Sequence, residues 1–132
     1  MSFDPRTIAT PVYEALQSLR SQHANDDERL KEQKNQAVEL YTYLSTWGMM
    51  RLKAEERALS QAGKQDVVRQ YFQCLQTLSG QPELAAEAGL DRPKELETED
   101  YLGLTGLGLE VAKEFGFWAT AVYHDVSGET AE

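Results

Sequence analysis

The sequence predicts an all-α fold, a single-domain bundle of five to six helices. Apolar residues recur at intervals of three and four along most of the 132 residues, as they do on one face of a helix. No stretch shows the sustained alternation of apolar and polar residues that a half-buried strand needs. We expect residues 1–126 to form the bundle and residues 127–132, which are small, polar and acidic, to be a disordered tail.

The first two helices are predicted from proline, aspartate and glycine. A helix is expected over residues 10–22, with Pro11 in its first turn, where the missing N–H has no intrahelical acceptor. Asp26 or Asp27 can cap a second helix, which we expect to break near Gly48. The residues expected to face inward from this second helix are Leu30, Ala37, Leu40, Tyr41 and Leu44.

Two further helices are predicted from their ends. The third is expected to begin at Met49 and to stop at Gly63, a residue type suited to the left-handed conformation after a helix end. The fourth is expected over residues 65–79 and to end at Gly80. Residues 81–97 contain two prolines and a glycine, which predicts a short helix followed by an exposed connection. The inward-facing residues of the fourth helix are predicted to be Val68, Tyr71, Phe72, Leu75 and Leu78.

The last long helix combines an apolar face with several glycines. Thr98 supplies an N-cap, and Gly103, Gly106 and Gly116 follow inside the helix, although each interior glycine costs about 1 kcal/mol relative to alanine. Because glycine allows a neighbouring backbone to approach closely, we expect this helix to press against others, in the same chain or in another copy. Its apolar face is predicted to contain Leu104, Leu107, Val111, Phe115, Trp118 and Val122.

Composition predicts a cytoplasmic protein without a membrane segment. The single cysteine, Cys74, cannot form an intramolecular disulfide, and the first residues do not resemble a signal peptide. No apolar run reaches the roughly 20 residues that span a bilayer. The net charge of -9 argues against general nucleic-acid binding, but residues 29–69 hold eight basic and five acidic side chains. This basic middle is either a set of solvated helix faces or a patch for an anionic partner.

No arrangement of residues predicts an enzyme, a cofactor or a small-molecule substrate. His23 and His124 lack a carboxylate or histidine at ligand spacing on the same helix, and no Glu-x-x-His motif is present, so we expect no metal. The run GLTGLGLEVAK has no lysine followed by serine or threonine directly after GxxxxG, and Val111 stands where a dinucleotide-binding turn needs its third glycine. Cys74 has no base paired with it by any motif, which leaves nucleophilic catalysis without a candidate.

The basic middle contains the candidate residues for binding nucleic acid. Lys53 and Arg57 are four apart and share one helix face, whereas Glu55 and Glu56 are interpreted as solvent charges that dilute the strip. Aromatic residues nearby would form a base-stacking surface if exposed, and would be core if buried; they are Tyr41, Tyr43, Trp47 and Tyr71. The candidate nucleic-acid-binding residues are Arg51, Lys53, Arg57, Lys64 and Arg69.

Three stretches resemble the small helical subunit of type III CRISPR effector complexes, particularly of the Cmr branch. They are YLSTWGMMRLKAE in the middle, VVRQYFQCLQTL in a later helix, and a final helix that opens YLGLT and continues through FWATAVYH. The resemblance covers about residues 30–124. Its strongest points are Tyr101, Leu102, Leu104, Thr105, Phe115, Phe117 and Trp118.

The resemblance implies a non-catalytic structural subunit of a CRISPR ribonucleoprotein complex. Such a subunit stacks in copies along the guide/target duplex, and its partners are the other effector subunits, copies of itself and target RNA. The five basic candidates would then contact the backbone of the target strand. The alternative is an acidic helical protein–protein adaptor or homodimer that binds through the glycine-containing last helix and does not bind nucleic acid.

Overall fold

Helices account for all regular secondary structure in the described part of the chain. The computed structural model describes residues 5–80 and 98–126, apart from the side chains of residues 5, 6, 57 and 98–102. The predicted all-α bundle is confirmed, whereas the short helix and connection expected over 81–97 and the tail expected over 127–132 lie outside the described residues. The helices are α1 (Pro5–Gln22), α2 (Asp27–Trp47), α3 (Met49–Ala58), α4 (Ala62–Ser79) and α5 (Thr98–Val122).

Four long helices form the bundle, and the short α3 packs on its outside. α2 packs against α4 and α5, and α1 packs against the same two helices. Tyr13 meets Trp118, and Arg20 meets Asp125, so α1 and α5 run in the same direction. α2 and α4 run in the other direction, and α3 leads the chain back from the end of α2 to the start of α4.

The core lies between these helices and follows the predicted apolar faces. Most residues expected to face inward are buried, but Tyr41 is exposed, and Leu78 and Trp118 are half-buried. Burying a large apolar side chain contributes roughly 1.5–3 kcal/mol, which makes these contacts the main source of stability. The largest fully buried apolar side chains are Leu16, Leu40, Met49, Leu52, Tyr71, Phe72, Leu75, Phe115 and Tyr123.

The first helix begins earlier than predicted, at Pro5 instead of Thr10. Proline at the first helical position loses no intrahelical hydrogen bond, so Pro5 starts the helix without cost and Pro11 lies inside it. Ile8 and Val12 are buried on the face that Leu16 and Leu19 continue, and this contact with the core favours the extra turn.

The predicted helix end at Gly63 is wrong. α3 ends at Ala58, and Gly63 lies in the first turn of α4. A Cβ atom at Gly63 would collide with the Arg29 carbonyl oxygen and would lie 2.5 Å from Glu32 Cβ. Glycine is therefore required there for the close approach of α4 to α2. The Gly63 N–H donates to Glu32 Oε1 at 2.8 Å, which satisfies one of the free donors at the helix start.

Three other predicted helix ends are confirmed, whereas α4 begins at Ala62, three residues before the predicted start, and Thr98 is the first residue of α5 and not its N-cap. Asp26 caps α2 by accepting a hydrogen bond from the Arg29 N–H at 3.0 Å. Gly48 separates α2 from α3 with a φ of 90°, and Gly80 ends α4 with a φ of 75°. These are conformations that residues with a Cβ atom rarely adopt.

The glycines of α5 divide into packed and exposed positions. Gly108, which was not among the three expected to pack closely, would place a Cβ atom 2.7 Å from the Tyr71 hydroxyl. Gly116 is in ordinary contact with the backbone of α2 at Ala37, 3.7 Å away. Gly103 and Gly106 are exposed and have no described neighbour within 4 Å of such an atom. Close packing within the chain thus accounts for Gly108 and, more loosely, for Gly116.

Candidate nucleic-acid interface

The five basic candidates lie in different environments. Arg51 and Arg69 are exposed, and Lys64 is partly exposed in the first turn of α4. Lys53 is buried, with 4% of its surface accessible. The backbone of Arg57 belongs to α3, but its side chain lies outside the described residues.

Lys53 lies between α3 and α4 instead of on the surface. Its Nζ donates to Glu56 Oε1 at 2.8 Å and lies 4.7 Å from the centre of the Phe72 ring. Arg69 Nε approaches the other oxygen of Glu56 at 3.6 Å. Glu56 is therefore not the solvent charge that the sequence suggested, because two of the basic candidates converge on it. A buried, paired ammonium has no access to a phosphate, so the exposed strip does not include Lys53.

Arg51 lies on the other side of α3, beside the last turn of α2. Its guanidinium carbon is 4.2 Å from the centre of the Trp47 ring. Burial and the charge of Glu55 raise the pKa of Tyr43, although Arg51 opposes them. Trp47 remains 53% exposed. We call Tyr43, Trp47 and Arg51 the Trp47 platform.

A break in the helix positions the Trp47 platform. Gly48 adopts a φ of 90°, and its N–H still donates to the Leu44 carbonyl at 2.9 Å. Leu44 and Met49, on either side of the break, are both buried in the core. The exposed indole is thus attached to a backbone segment whose neighbours are fixed by packing.

The other two aromatic candidates do not join the platform. Tyr71 is fully buried and donates to the Gly108 carbonyl at 2.9 Å, and burial raises its pKa. Tyr41 is exposed and lies beneath the Lys113 ammonium, 5.5 Å from it. Of the four aromatic residues, Trp47 has its ring against Arg51, and Tyr43 is close enough for the Arg51 charge to act on its pKa.

A buried polar cluster at the opposite end of the bundle was missed by the sequence prediction. Asp66 accepts two hydrogen bonds from Arg29, at 2.7 and 2.9 Å. Gln33 donates to the same carboxylate at 3.0 Å and accepts from the Tyr123 hydroxyl at 2.7 Å. His23 Nδ1 lies 3.0 Å from the Gln33 amide nitrogen and 3.8 Å from Asp66 Oδ2. We call these five residues the polar end.

The polar end joins α2 and α4 to the segments that follow α1 and α5. Burial by itself raises the pKa of Asp66, but the hydrogen bonds from Arg29 and Gln33 bring it below its ordinary value. The donors and acceptors of this cluster are directed at one another, as in a hydrogen-bond network that stabilises the fold. A sequence signal was present, because Gln33 occupies an inward-facing position between Leu30 and Ala37.

A second arginine–aspartate pair lies at the surface beside the polar end. Arg20 donates to both oxygens of Asp125, at 2.6 and 2.8 Å, and to the Val122 carbonyl at 2.5 Å. These hydrogen bonds lower the pKa of Asp125 to about 2. Lys34 donates to the Val126 carbonyl at 2.6 Å. The end of α5 is thus attached to α1 and α2.

Several large apolar side chains of α2 and α5 are exposed. Val38 lies on α2 beside Gly116, Tyr41 lies further along α2 beside Lys113, and Phe117 of α5 is 62% exposed. The Phe117 ring contacts Trp118 edge-on, with 5.0 Å between ring centres. We call Val38, Tyr41 and Phe117 the α2/α5 apolar surface.

No three histidine, cysteine, aspartate or glutamate side chains of residues 5–80 and 98–126 are close enough together to hold a metal ion. None of the five helices is both long and apolar enough to cross a membrane.

Comparison with protein-family models, with curated proteins and with solved structures gave no match to this chain.

Proposed function

We propose that this chain is a non-catalytic structural subunit of a cytoplasmic type III CRISPR ribonucleoprotein complex. It stacks in copies along the guide/target duplex and contacts the backbone of the target strand. The observation that carries the proposal is the exposed guanidinium of Arg51 on a protein whose net charge is otherwise strongly negative. Arg69 is a second exposed cation. Stacking in copies is proposed because the sequence resembles the Cmr small subunit.

The proposed mechanism is geometric. One or two exposed cations bind a phosphate backbone weakly, because each contact contributes little at physiological salt. A row of identical copies multiplies these contacts, and tethering to the guide complex raises the effective concentration of the strand. Sequence readout is unnecessary, since base pairing with the guide supplies it.

Purification from the native host tests the assembly. The chain carries an affinity tag, and the recovered material is analysed for RNA and for protein partners. We expect guide RNA and the other effector subunits to be recovered together with it. Recovery of the chain free of both would contradict the proposal.

Charge reversal tests the contact residues. Arg51→Glu combined with Arg69→Glu is expected to weaken retention of target RNA in the assembled complex, because both side chains are exposed and cationic. Lys113→Glu is the control, because it reverses the charge of a side chain on α5 that is similarly exposed. Lys53 is left unchanged, since its side chain is buried and a carboxylate there could not turn away from Glu56, whereas Arg69 is 56% exposed. Equal target retention by both reversal variants would count against backbone contact by Arg51 and Arg69.

The α2/α5 apolar surface favours a second candidate function, the acidic helical adaptor or homodimer. Its three side chains are exposed on neighbouring helices, and exposed apolar clusters mark protein-binding surfaces. The adaptor hypothesis predicts that Phe117→Asp abolishes association with a protein partner, while the double reversal at Arg51 and Arg69 changes nothing. The subunit hypothesis predicts that the double reversal at Arg51 and Arg69 weakens retention of target RNA in the assembled complex.

A further inference from the structure

The Trp47 platform presents a flat aromatic face together with a fixed positive charge. The Arg51 guanidinium covers one face of the indole at 4.2 Å, yet 53% of Trp47 remains accessible. More than half of the Trp47 surface therefore remains open beside the guanidinium. An exposed tryptophan of this kind adds little to the core, which is built from other residues.

The guanidinium is held against the aromatic ring before a ligand arrives. Its carbon lies 4.2 Å from the centre of the Trp47 ring. A cation above an aromatic ring is attracted by the electron-rich face of that ring. Ordered side chains lose less freedom on binding, which favours affinity.

A planar aromatic surface with an adjacent positive charge is complementary to an unpaired nucleotide. An unpaired nucleotide carries a flat base that stacks on indole and a phosphate that pairs with guanidinium. We propose that the Trp47 platform binds an unpaired nucleobase by stacking on the uncovered face of Trp47, with Arg51 near the adjoining phosphate. The proposal rests on the proposed function and adds to it an unpaired base, one not engaged in the guide/target duplex, and a residue, Trp47, that contacts this base.

Nuclear magnetic resonance of the full chain provides a direct test, because the two tryptophans have separate indole N–H signals. Trp118 donates its N–H to Glu114 at 2.9 Å and packs edge-on against Tyr13, so it serves as the internal reference. The probe is a single-stranded oligoadenylate of about eight nucleotides, within the usual site sizes. Its control is an abasic oligomer of the same length and charge.

The expected result is a ring-current shift of the Trp47 signal with oligoadenylate, without a comparable shift at Trp118 and without one for the abasic oligomer. Equal shifts with both oligomers would mean that phosphate alone is bound, and the stacking proposal would be wrong. Absence of binding by either oligomer would overturn it as well.

Substitution of the tryptophan measures the contribution of stacking. Trp47→Ala is expected to lower affinity for oligoadenylate roughly 5- to 150-fold, the factor that corresponds to the loss of one stacked base, while Trp47→Phe retains most of it. Phe117→Ala is the matched control, an exposed aromatic residue on the α2/α5 apolar surface. The unfolding midpoints of all variants establish that each is folded.

The two proposals can fail separately. If Trp47→Ala leaves affinity unchanged while reversal at Arg51 and Arg69 releases target RNA, stacking is wrong and the proposed function stands. If neither change affects RNA binding and no guide RNA is recovered with the native protein, both are wrong. Loss of a protein partner in Trp47→Ala, with nucleotide affinity intact, would identify the platform as a protein-docking surface and overturn the proposal.

Discussion

Arginine side chains lie at both ends of the bundle, but they have different partners there. At the polar end, Arg29 gives two hydrogen bonds to Asp66, whose side chain is only 8% exposed. At the other end, Arg51 lies on the exposed indole of Trp47. The first arginine is paired with a buried anion, and its removal would leave a charge without a partner. The second, Arg51, is not paired with a buried anion, and its charge faces solvent. Burial of the partner, more than the type of residue, separates a structural arginine from a candidate contact residue.

The largest expected effect is the loss of the buried anion. Asp66→Ala should lower the free energy of unfolding by about 3 kcal/mol, because Arg29 and Gln33 lose their shared acceptor. Urea denaturation of the variant and of the wild-type chain measures the difference. Asp125→Ala removes an equally bidentate but exposed partner of Arg20, and a clearly smaller change is expected. Equal losses in the two variants would show that burial does not distinguish the pairs.

The polar end depends on the close approach of α4 to α2. Adding one methyl group at Gly63 tests whether this approach is required. Gly63→Ala should cost about 2 kcal/mol, because the added Cβ collides with backbone at Arg29. Gly106→Ala, at an exposed and open position in α5, should instead raise stability by about 0.5–1 kcal/mol. Thermal unfolding followed by circular dichroism ranks the two. A stabilised Gly63→Ala variant would contradict the packing described for the polar end.

The hydroxyl of Tyr123 allows a finer test of the same cluster. Tyr123→Phe should cost about 1–2 kcal/mol, because it leaves the Gln33 carbonyl oxygen buried without its donor. Tyr13→Phe is the control, since the Tyr13 hydroxyl meets Gln17 at the exposed surface and its loss should change little. Chemical denaturation of both variants provides the comparison. No difference between them would mean that the polar end tolerates an unsatisfied acceptor.

Mild acidification should produce the smallest effect, and it should come from the polar end and its neighbour. The folded-state pKa of Asp66 lies below its ordinary value of 3.8, and that of Asp125 is about 2. Both carboxylates therefore stabilise the fold above the unfolded-state pKa, and the stabilisation is lost as pH falls through the lowered values. Unfolding free energy measured from about pH 5 to pH 3 should fall less steeply in Asp66→Asn than in the wild-type chain. Identical slopes would contradict a lowered pKa at Asp66.

Helix ends show which parts of the fold could be predicted. The Asp26 cap, the break at Gly48 and the end at Gly80 were all anticipated, because each depends on a few neighbouring residues. Gly63 was misassigned, since its reason is the backbone of another helix. The start at Pro5 was missed as well, because the burial of Ile8 and Val12 outweighed the proline signal at Pro11.

The candidate site was predictable in composition but not in arrangement. All of its residues were named from the sequence, including Trp47 as a conditional stacking residue. Whether Lys53 points to solvent or lies against Phe72 depends on where α3 packs, which helical spacing does not reveal. Lys53 and Arg51 are two residues apart, so they point to nearly opposite sides of α3, and only one side could be buried.

The sequence by itself determined the helical class, most helix ends and the apolar faces, because caps and periodicity act within a turn or two of the chain. Only the tertiary structure decided which charges are buried and which are exposed. Gln33 meets Tyr123 across 90 positions of the chain, and Arg29 meets Asp66 across 37. Such contacts depend on the desolvation of charged and polar groups by residues from other helices, a quantity that no local pattern contains.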